Sequence, residues 1–354
     1  MTRAVRRLVV VVAVMVACAA SASIASAEVW TQMTPRPGFP DIPELVGVGA
    51  SSASDVWAVG ENDADSSMPV AAHWDGTAWV EMSLANQLDD YQGGLTGVSA
   101  LSASDAWAVG WQETPGSGAL AVFWNGSDWS VVATPALAGG SRVLGSVSML
   151  TPSDVWAVGY QTSGRSLAEH WNGTRWSVVA TPNAGPLVSV KAVSASNVWA
   201  IGARHVVEHY NGTKWATVAV PVTSTTNLGR ITRIPGTTHL WVVGTDMATK
   251  KPVAIYYNGA SWKAHNPPGA GALDGVAALS ADDVWASGTS LTAPGKNVTF
   301  HWTGSAWHSV APAGLAGGSV ENMTRVPGST QLWAVGMGIS SGGSTGGPFA
   351  AYYH

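Results

Sequence analysis

Three sets of residues in this sequence carry groups capable of chemistry. The first joins carboxylates to aromatic rings: Asp63 and Asp65, then Asp89, Asp90 and Tyr91, then Trp111. Carboxylates beside exposed rings suit a sugar site, and Ca2+ is the ion that such oxygen ligands favour. The same residues also read as a solvated acidic patch with one surface aromatic. The second set is basic: Lys191, Arg230, Arg233 and Arg325, with Arg233 and Arg325 in the matching stretches T-R-I-P-G and T-R-V-P-G. These could ring a channel and attract an anion, or sit at strand ends and pair with nearby acids or water. The third set is periodic: Asp55, Asp105, Asp154, Asn197 and Asp283, with His73, His170, His209 and His301. Its acidic and amide side chains are expected to bond the backbone of a turn. The histidine position is shared with Phe123, Tyr256 and Tyr352, so it reads as half-buried ring filling and not as a metal ligand.

No G-x-S-x-G, H-E-x-x-H or Walker loop is present. The single cysteine, Cys18, falls in an N-terminal segment with the features of an export signal. That segment, residues 1–27, has a basic start (Arg3, Arg6, Arg7), an apolar run from Leu8 to Ala20, and Ala25-Ser26-Ala27 as a cleavage site. Cys18 also ends Met15-Val16-Ala17-Cys18, which offers lipid anchoring at the cell envelope as the alternative to secretion. Cleavage after Ala27 leaves a chain without thiols, which excludes a cysteine nucleophile and a disulfide. Losing three arginines takes the formal charge from −5 to −8, which argues against nucleic acid and anionic membranes as partners.

The elements that must position these groups come from a repeat. S-x-S-D-V-W-A-V-G, a variable stretch, and then H-W-N-G-T-x-W recur along the chain. The first half places Trp57, Trp107, Trp156, Trp199, Trp241, Trp285 and Trp333 at spacings of 50, 49, 43, 42, 44 and 48, the period of propeller blades. The second half occurs six times, as His73–Trp79, Phe123–Trp129, His170–Trp176, His209–Trp215, Tyr256–Trp262 and His301–Trp307. The seventh repeat stops at His354, and its missing tail matches Trp30-Thr-Gln-Met-Thr-Pro35.

Only 11% of residues are charged, while 41 are Gly and 19 are Trp. This composition suits tight turns around a buried β core. The expected fold is all-β: a seven-bladed β-propeller of four-stranded antiparallel blades. Residues 28–354 form one domain, and the N-terminal strand completes blade 7. In blade 2 the spacing predicts strand a at Leu95–Leu101, b at Asp105–Gly110, c at Ala119–Trp124, and d from Trp129. Asn-Gly or Asp-Gly between strands c and d in five of six repeats predicts two-residue hairpins. Eighteen of the 19 tryptophans sit in the repeat, so they read as packing between blades before they read as sugar platforms.

The repeat resembles that of a group of secreted bacterial repeat proteins, over essentially all of residues 28–354. A weaker likeness is to tectonin-repeat lectins, whose shorter period carries no sugar specificity over. Kelch-like and galactose-oxidase-like propellers are similar in architecture alone.

The a–b and c–d turns look short and uniform, whereas the d–a and b–c connections vary. Variable loops on a rigid scaffold are where binding resides, so the d–a/b–c face, with its Asp63–Trp111 set, is the expected functional face. The resulting expectation is a monomeric, non-enzymatic module recognising carbohydrate or protein at or outside the cell surface. It needs no cofactor unless Ca2+ occupies the loop carboxylates. The alternative is an extracellular carbohydrate-active hydrolase or lyase using those carboxylates.

Overall fold

A computed structural model describes residues 30–33, 44–62, 68–82, 84, 92–113, 118–137, 140–293, 295–310, 318–339 and 345–353. The strands form seven four-stranded antiparallel sheets arranged as a seven-bladed propeller. Blade 1 shows the plan, with strand a at Glu44–Ser52, b at Asp55–Asn62, c at Met68–Trp74 and d at Trp79–Met82. In blade 2 the strands are Gly93–Ser102, Asp105–Gln112, Gly118–Trp124 and Trp129–Val131, in the expected places and slightly longer.

Blade 7 is closed by the N-terminal strand. Its sheet runs Trp30–Met33, Thr345–Tyr353, Leu332–Ile339 and Ser319–Arg325, with Trp30 opposite Tyr353. A ring whose ends pair in this way leaves no open seam between first and last blade.

The repeated tryptophans set the spacing between blades. Each strand-b indole packs between two aromatic rings of the following blade. Trp57 meets Trp124 and Trp129 at 4.9 and 5.0 Å, and Trp107 meets Trp171 and Trp176, both at 5.0 Å. The series closes: Trp285 meets Trp30 and Tyr353, and Trp333 meets Trp74 and Trp79 of blade 1. The strand-d ring stands edge-on to the strand-b ring, an arrangement favoured by the aromatic quadrupole. Among the described residues, twelve of these indole N–H groups find no hydrogen-bond acceptor, so ring contact is their main interaction.

The glycine that ends V-W-A-V-G answers to strand a. In every blade strand a carries a bulge, as between Leu45 and Gly47, that pushes a carbonyl toward strand b. A Cβ on Gly60 would lie 1.9 Å from the Glu44 oxygen, and one on Gly202 would lie 1.8 Å from that of Pro186. No other residue fits there.

The c–d links differ from the expected two-residue hairpins. Trp74 pairs with Trp79, so four residues intervene. Only the glycine takes positive φ (96° at Gly76), whereas a type I′ turn needs two such residues. The residue before it acts as a cap: Asp75 Oδ1 accepts from Thr77 and Ala78 N–H at 2.7 and 2.9 Å. Asn125, Asn172, Asn211 and Asn258 do the same.

Ring closure predicts that Trp30→Ala costs about 3–5 kcal/mol, a large buried aromatic being removed from a packed site. A denaturant titration measures this. A midpoint equal to that of an exposed-site variant such as Lys263→Ala would show that the first strand does not hold the ring.

Candidate functional site

The Asp/Asn–His series is now explained, and the expectation that it bonds turn backbone is corrected. The strand-b side chain reaches strand c. His73 Nε2 lies 2.7 Å from Asp55 Oδ1, and the same pair recurs as His170–Asp154 (2.9 Å), His209–Asn197 (2.9 Å) and His301–Asp283 (3.0 Å). Asn197 and Asp283 also accept from the indole N–H of Trp199 and Trp285. Each histidine stacks on the strand-b indole of its own blade, as with His73 on Trp57 at 4.3 Å. The set therefore orients the indole and fastens b to c. Burial opposes the charge on Asp55, but hydrogen bonds from His73 and Ser51 and the charge of His73 hold its carboxyl below the usual range.

Two blades depart from the pattern. In blade 5 the roles are swapped, and Tyr256 Oη lies 2.7 Å from His239 Nδ1. In blade 2 Phe123 replaces histidine, which leaves Asp105 Oδ1 buried without a partner, and burial pushes its carboxyl up. Among the described residues no group of three His, Cys, Asp or Glu could hold a metal ion.

Of the expected loop set, Asp63, Asp65, Asp89, Asp90 and Tyr91 lie outside the described residues, so the Ca2+ expectation falls there too. Trp111 is described. It is the next-to-last residue of strand b of blade 2, half-buried and opposite Gly94. A Cβ on Gly94 would lie 2.5 Å from Glu61 Oε2 and 3.0 Å from Trp111 Nε1. The missing side chain thus lets an indole from blade 2 and a carboxylate from blade 1 meet on the d–a/b–c face. Glu61 was not singled out from the sequence. Its one signal was Gly94, a bare position at the start of a strand.

The basic set is assembled in the central channel. Lys191 belongs to strand a of blade 4 (Leu187–Ser194), Arg230 and Arg233 to that of blade 5 (Thr226–Arg233), and Arg325 to that of blade 7. All four line one cavity of about 470 Å³. Among the described residues, pairing with local acids holds for Arg230 alone, whose charge is felt by Asp274 and Glu321. Burial and Glu321 push the Asp274 carboxyl up to about 6, against the pull of Arg230. The turns nearby are also less uniform than expected. The a–b links have two residues in blades 1 to 4 but six, five and six in blades 5, 6 and 7.

No family model matches the sequence, and no curated protein matches it. Solved β-propellers share its fold. YCF48 bound to D1 peptide superposes with a TM-score of 0.65 at 13% identity, covering 93% of this chain and 96% of that one. YCF48 from Cyanidioschyzon merolae gives 0.64 at 16% identity, over 92% and 99% of the two chains. The Niastella koreensis GH74 enzyme gives 0.60 at 13% identity, over 87% of this chain and 52% of that one. At these identities the likeness establishes the architecture, and function must come from the site.

Two buried carboxylates remain. Glu169 and Glu208 occupy one repeat position in strand c of blades 3 and 4, where other blades place Ala72, Val122, Ile255 and Phe300. Both are fully buried. Burial raises each to about 7, opposed at Glu169 by Arg142, whose Nη1 lies 3.6 Å from Oε1.

Two predictions follow from these geometries. Phe123→His gives Asp105 a partner and should raise stability by about 1 kcal/mol, read by urea titration at pH 7; no gain would mean that the pair fills space only. Glu208 binds its proton more tightly folded than unfolded, so its contribution is full below the ordinary glutamate value of 4.5 and lost as pH rises to about 7. Glu208→Gln should therefore be more stable than wild type at pH 8, by roughly 2 kcal/mol, with the difference shrinking toward pH 5. Parallel melting curves across that range would contradict it.

Proposed function

We propose that the chain is an exported, non-enzymatic binding module that recognises a glycan or protein at or outside the cell surface through its d–a/b–c face. The observation that carries this is the meeting of Trp111 and Glu61 at the boundary of blades 1 and 2, on the face where connections vary. All six c–d links have four residues, whereas b–c links have four to seven and d–a links seven to ten. A rigid ring with uniform outer turns and variable connections on one face is suited to display a recognition surface.

An aromatic ring beside a carboxylate serves sugar and peptide alike: the ring stacks on an apolar face, and the carboxylate accepts from hydroxyl or amide N–H. One similar propeller holds a D1 peptide and another is a GH74 enzyme, so the scaffold suits either use. The two carboxylates with the highest shifts, Glu169 and Glu208, are sealed from solvent and cannot protonate a glycosidic oxygen. This favours recognition over hydrolysis. Residues 1–27 supply export, with Cys18 anchoring as the alternative route.

A glycan array and crosslinking to cell-envelope extract test the reading together. Trp111→Ala should abolish the retained signal at an unchanged melting temperature. Binding that survives this change would move the site elsewhere, and turnover of a polysaccharide panel by the wild type would replace the module with a hydrolase or lyase. N-terminal sequencing of secreted protein should begin at Glu28.

A further inference from the structure

The channel is built from the strands a, and its lining departs from the repeat at four places. Strand a is the inner edge of each blade, so side chains just past the bulge form successive rings of seven around the axis. The first ring holds Gly47, Gly97, Ser146, Ser189, Gly275 and Asn322, with Arg230 as the seventh member. The next holds residues opposite the strand-b tryptophans: Gly49, Ser99, Ser148, Thr232, Ala277 and Thr324, with Lys191 as the seventh. The small members have a task. Ser99, Ser146, Ser148 and Ser189 accept from strand-a N–H groups of the following blade, at 3.1–3.4 Å. Arg233 and Arg325 share one position at the end of strand a, where other blades carry Ala50, Ala100, Met149, Ala192 and Ala278. A long cation stands at each of these sites where the other blades carry uncharged, mostly small residues, so none of the four is needed to build the ring.

Arg230 and the other three are in different electrostatic situations. The Arg230 guanidinium crosses the channel to the Val46 carbonyl of blade 1 at 3.4 Å, beside Asn322, which reaches the same oxygen. Asp274 and Glu321, the bulge residues of blades 6 and 7, balance its charge. Neither acid lines the cavity, which extends from Arg230 to Pro235, Gly236 and Pro327 in the a–b turns. Along that side lie Lys191, Arg233 and Arg325, and the residues lining the cavity include no carboxylate. Arg233 is held in place by the carbonyls of Thr237 and of Val193. The charges of Arg233 and Arg325 reach Lys191, and burial together with that repulsion lowers its ammonium below the usual lysine range. Three like charges gathered in a cup, in a chain of net negative charge, stand without a counter-ion among the described residues.

We propose that the a–b end of the channel is a binding site for a compact polyvalent oxyanion, carrying phosphate or carboxylate groups, held by Lys191, Arg233 and Arg325. The channel cavity that this cup ends, about 470 Å³ in all, falls in the range of small-molecule sites. Arginine offers paired donors to phosphate and carboxylate oxygens, and Lys191 adds a point charge at the wall. Hydroxyls of Ser99, Thr232 and Thr324 lie on the same lining. This site is on the opposite side of the ring from Trp111, so it stands or falls apart from the loop-face reading.

Calorimetric titration of the full chain with inorganic pyrophosphate and with citrate tests it. The wild type should bind at least one of the two, with affinity falling as salt is added. Response to pyrophosphate alone assigns a phosphate ligand, and response to citrate alone a carboxylate ligand. Lys191→Ser and Arg325→Ala install residues that other blades carry at these positions. Each should keep or raise the melting temperature without ligand and weaken binding at least tenfold. Lys191→Met, which keeps length and drops charge, should show the same loss if Lys191→Ser folds poorly. Absence of binding to either probe at millimolar concentration overturns the proposal. So does equal weakening by Lys263→Ser, a lysine on an outer strand, since that would mark charge attraction without a site.

Discussion

The structure depends on the wedge of one indole between two rings of the next blade. Seven twisted sheets around an axis diverge outward, and a gap opens between neighbours that small side chains cannot fill. Trp57, Trp107, Trp156, Trp199, Trp241, Trp285 and Trp333 fill it, and each is gripped by a pair such as Trp124 and Trp129. Because the grip passes from blade to blade and returns to blade 1 through Trp333, Trp74 and Trp79, the contacts are mutually dependent. The N-terminal strand enters this circuit as a ring donor, through Trp30.

Most polar groups that look chemical serve this arrangement. The Asp/Asn–His pairs fix the plane of the indole and join strands b and c. Serines along strand a satisfy inner-edge N–H groups that have no strand partner. Asp75, Asn125 and their equivalents cap the c–d links through three local donors each. Buried polar groups must be paired, and a repeat solves the pairing once and copies the answer. Where the copy fails, as at Asp105 opposite Phe123, the unpaired group carries the cost.

The departures from the repeat are therefore the informative positions, and they separate onto two ends of the ring. Trp111 and Glu61 meet over Gly94 on the d–a/b–c face. Lys191, Arg233 and Arg325 gather at the a–b end of the channel, beside the longer links of blades 5 and 7. The basic group is not required for ring geometry, since most other blades carry small residues at those positions. Propellers of unrelated sequence reach the same architecture at 13–16% identity, which shows how little of the fold rests on any one of these residues.

The sequence by itself determined the number of blades, their strand order and the way the ring closes. Seven strand-b tryptophans with six complete c–d hairpins admit one arithmetic, and Trp30 supplied the missing tail. These features are local or periodic, so they can be read along the chain. Turn geometry was legible only in part, because Asn-Gly marks a turn without stating how many residues the ladder leaves out. Tertiary structure alone decided what the isolated residues do. Lys191 and Arg325 are far apart along the chain, yet strand a is the inner edge of every blade, and closing the ring brings every inner edge to one axis. The bulge then decides which side chains line the channel and which carbonyl excludes all but glycine at Gly60 and Gly202. Charge spacing along the sequence carries no trace of that convergence, since it follows from the curvature of the whole ring.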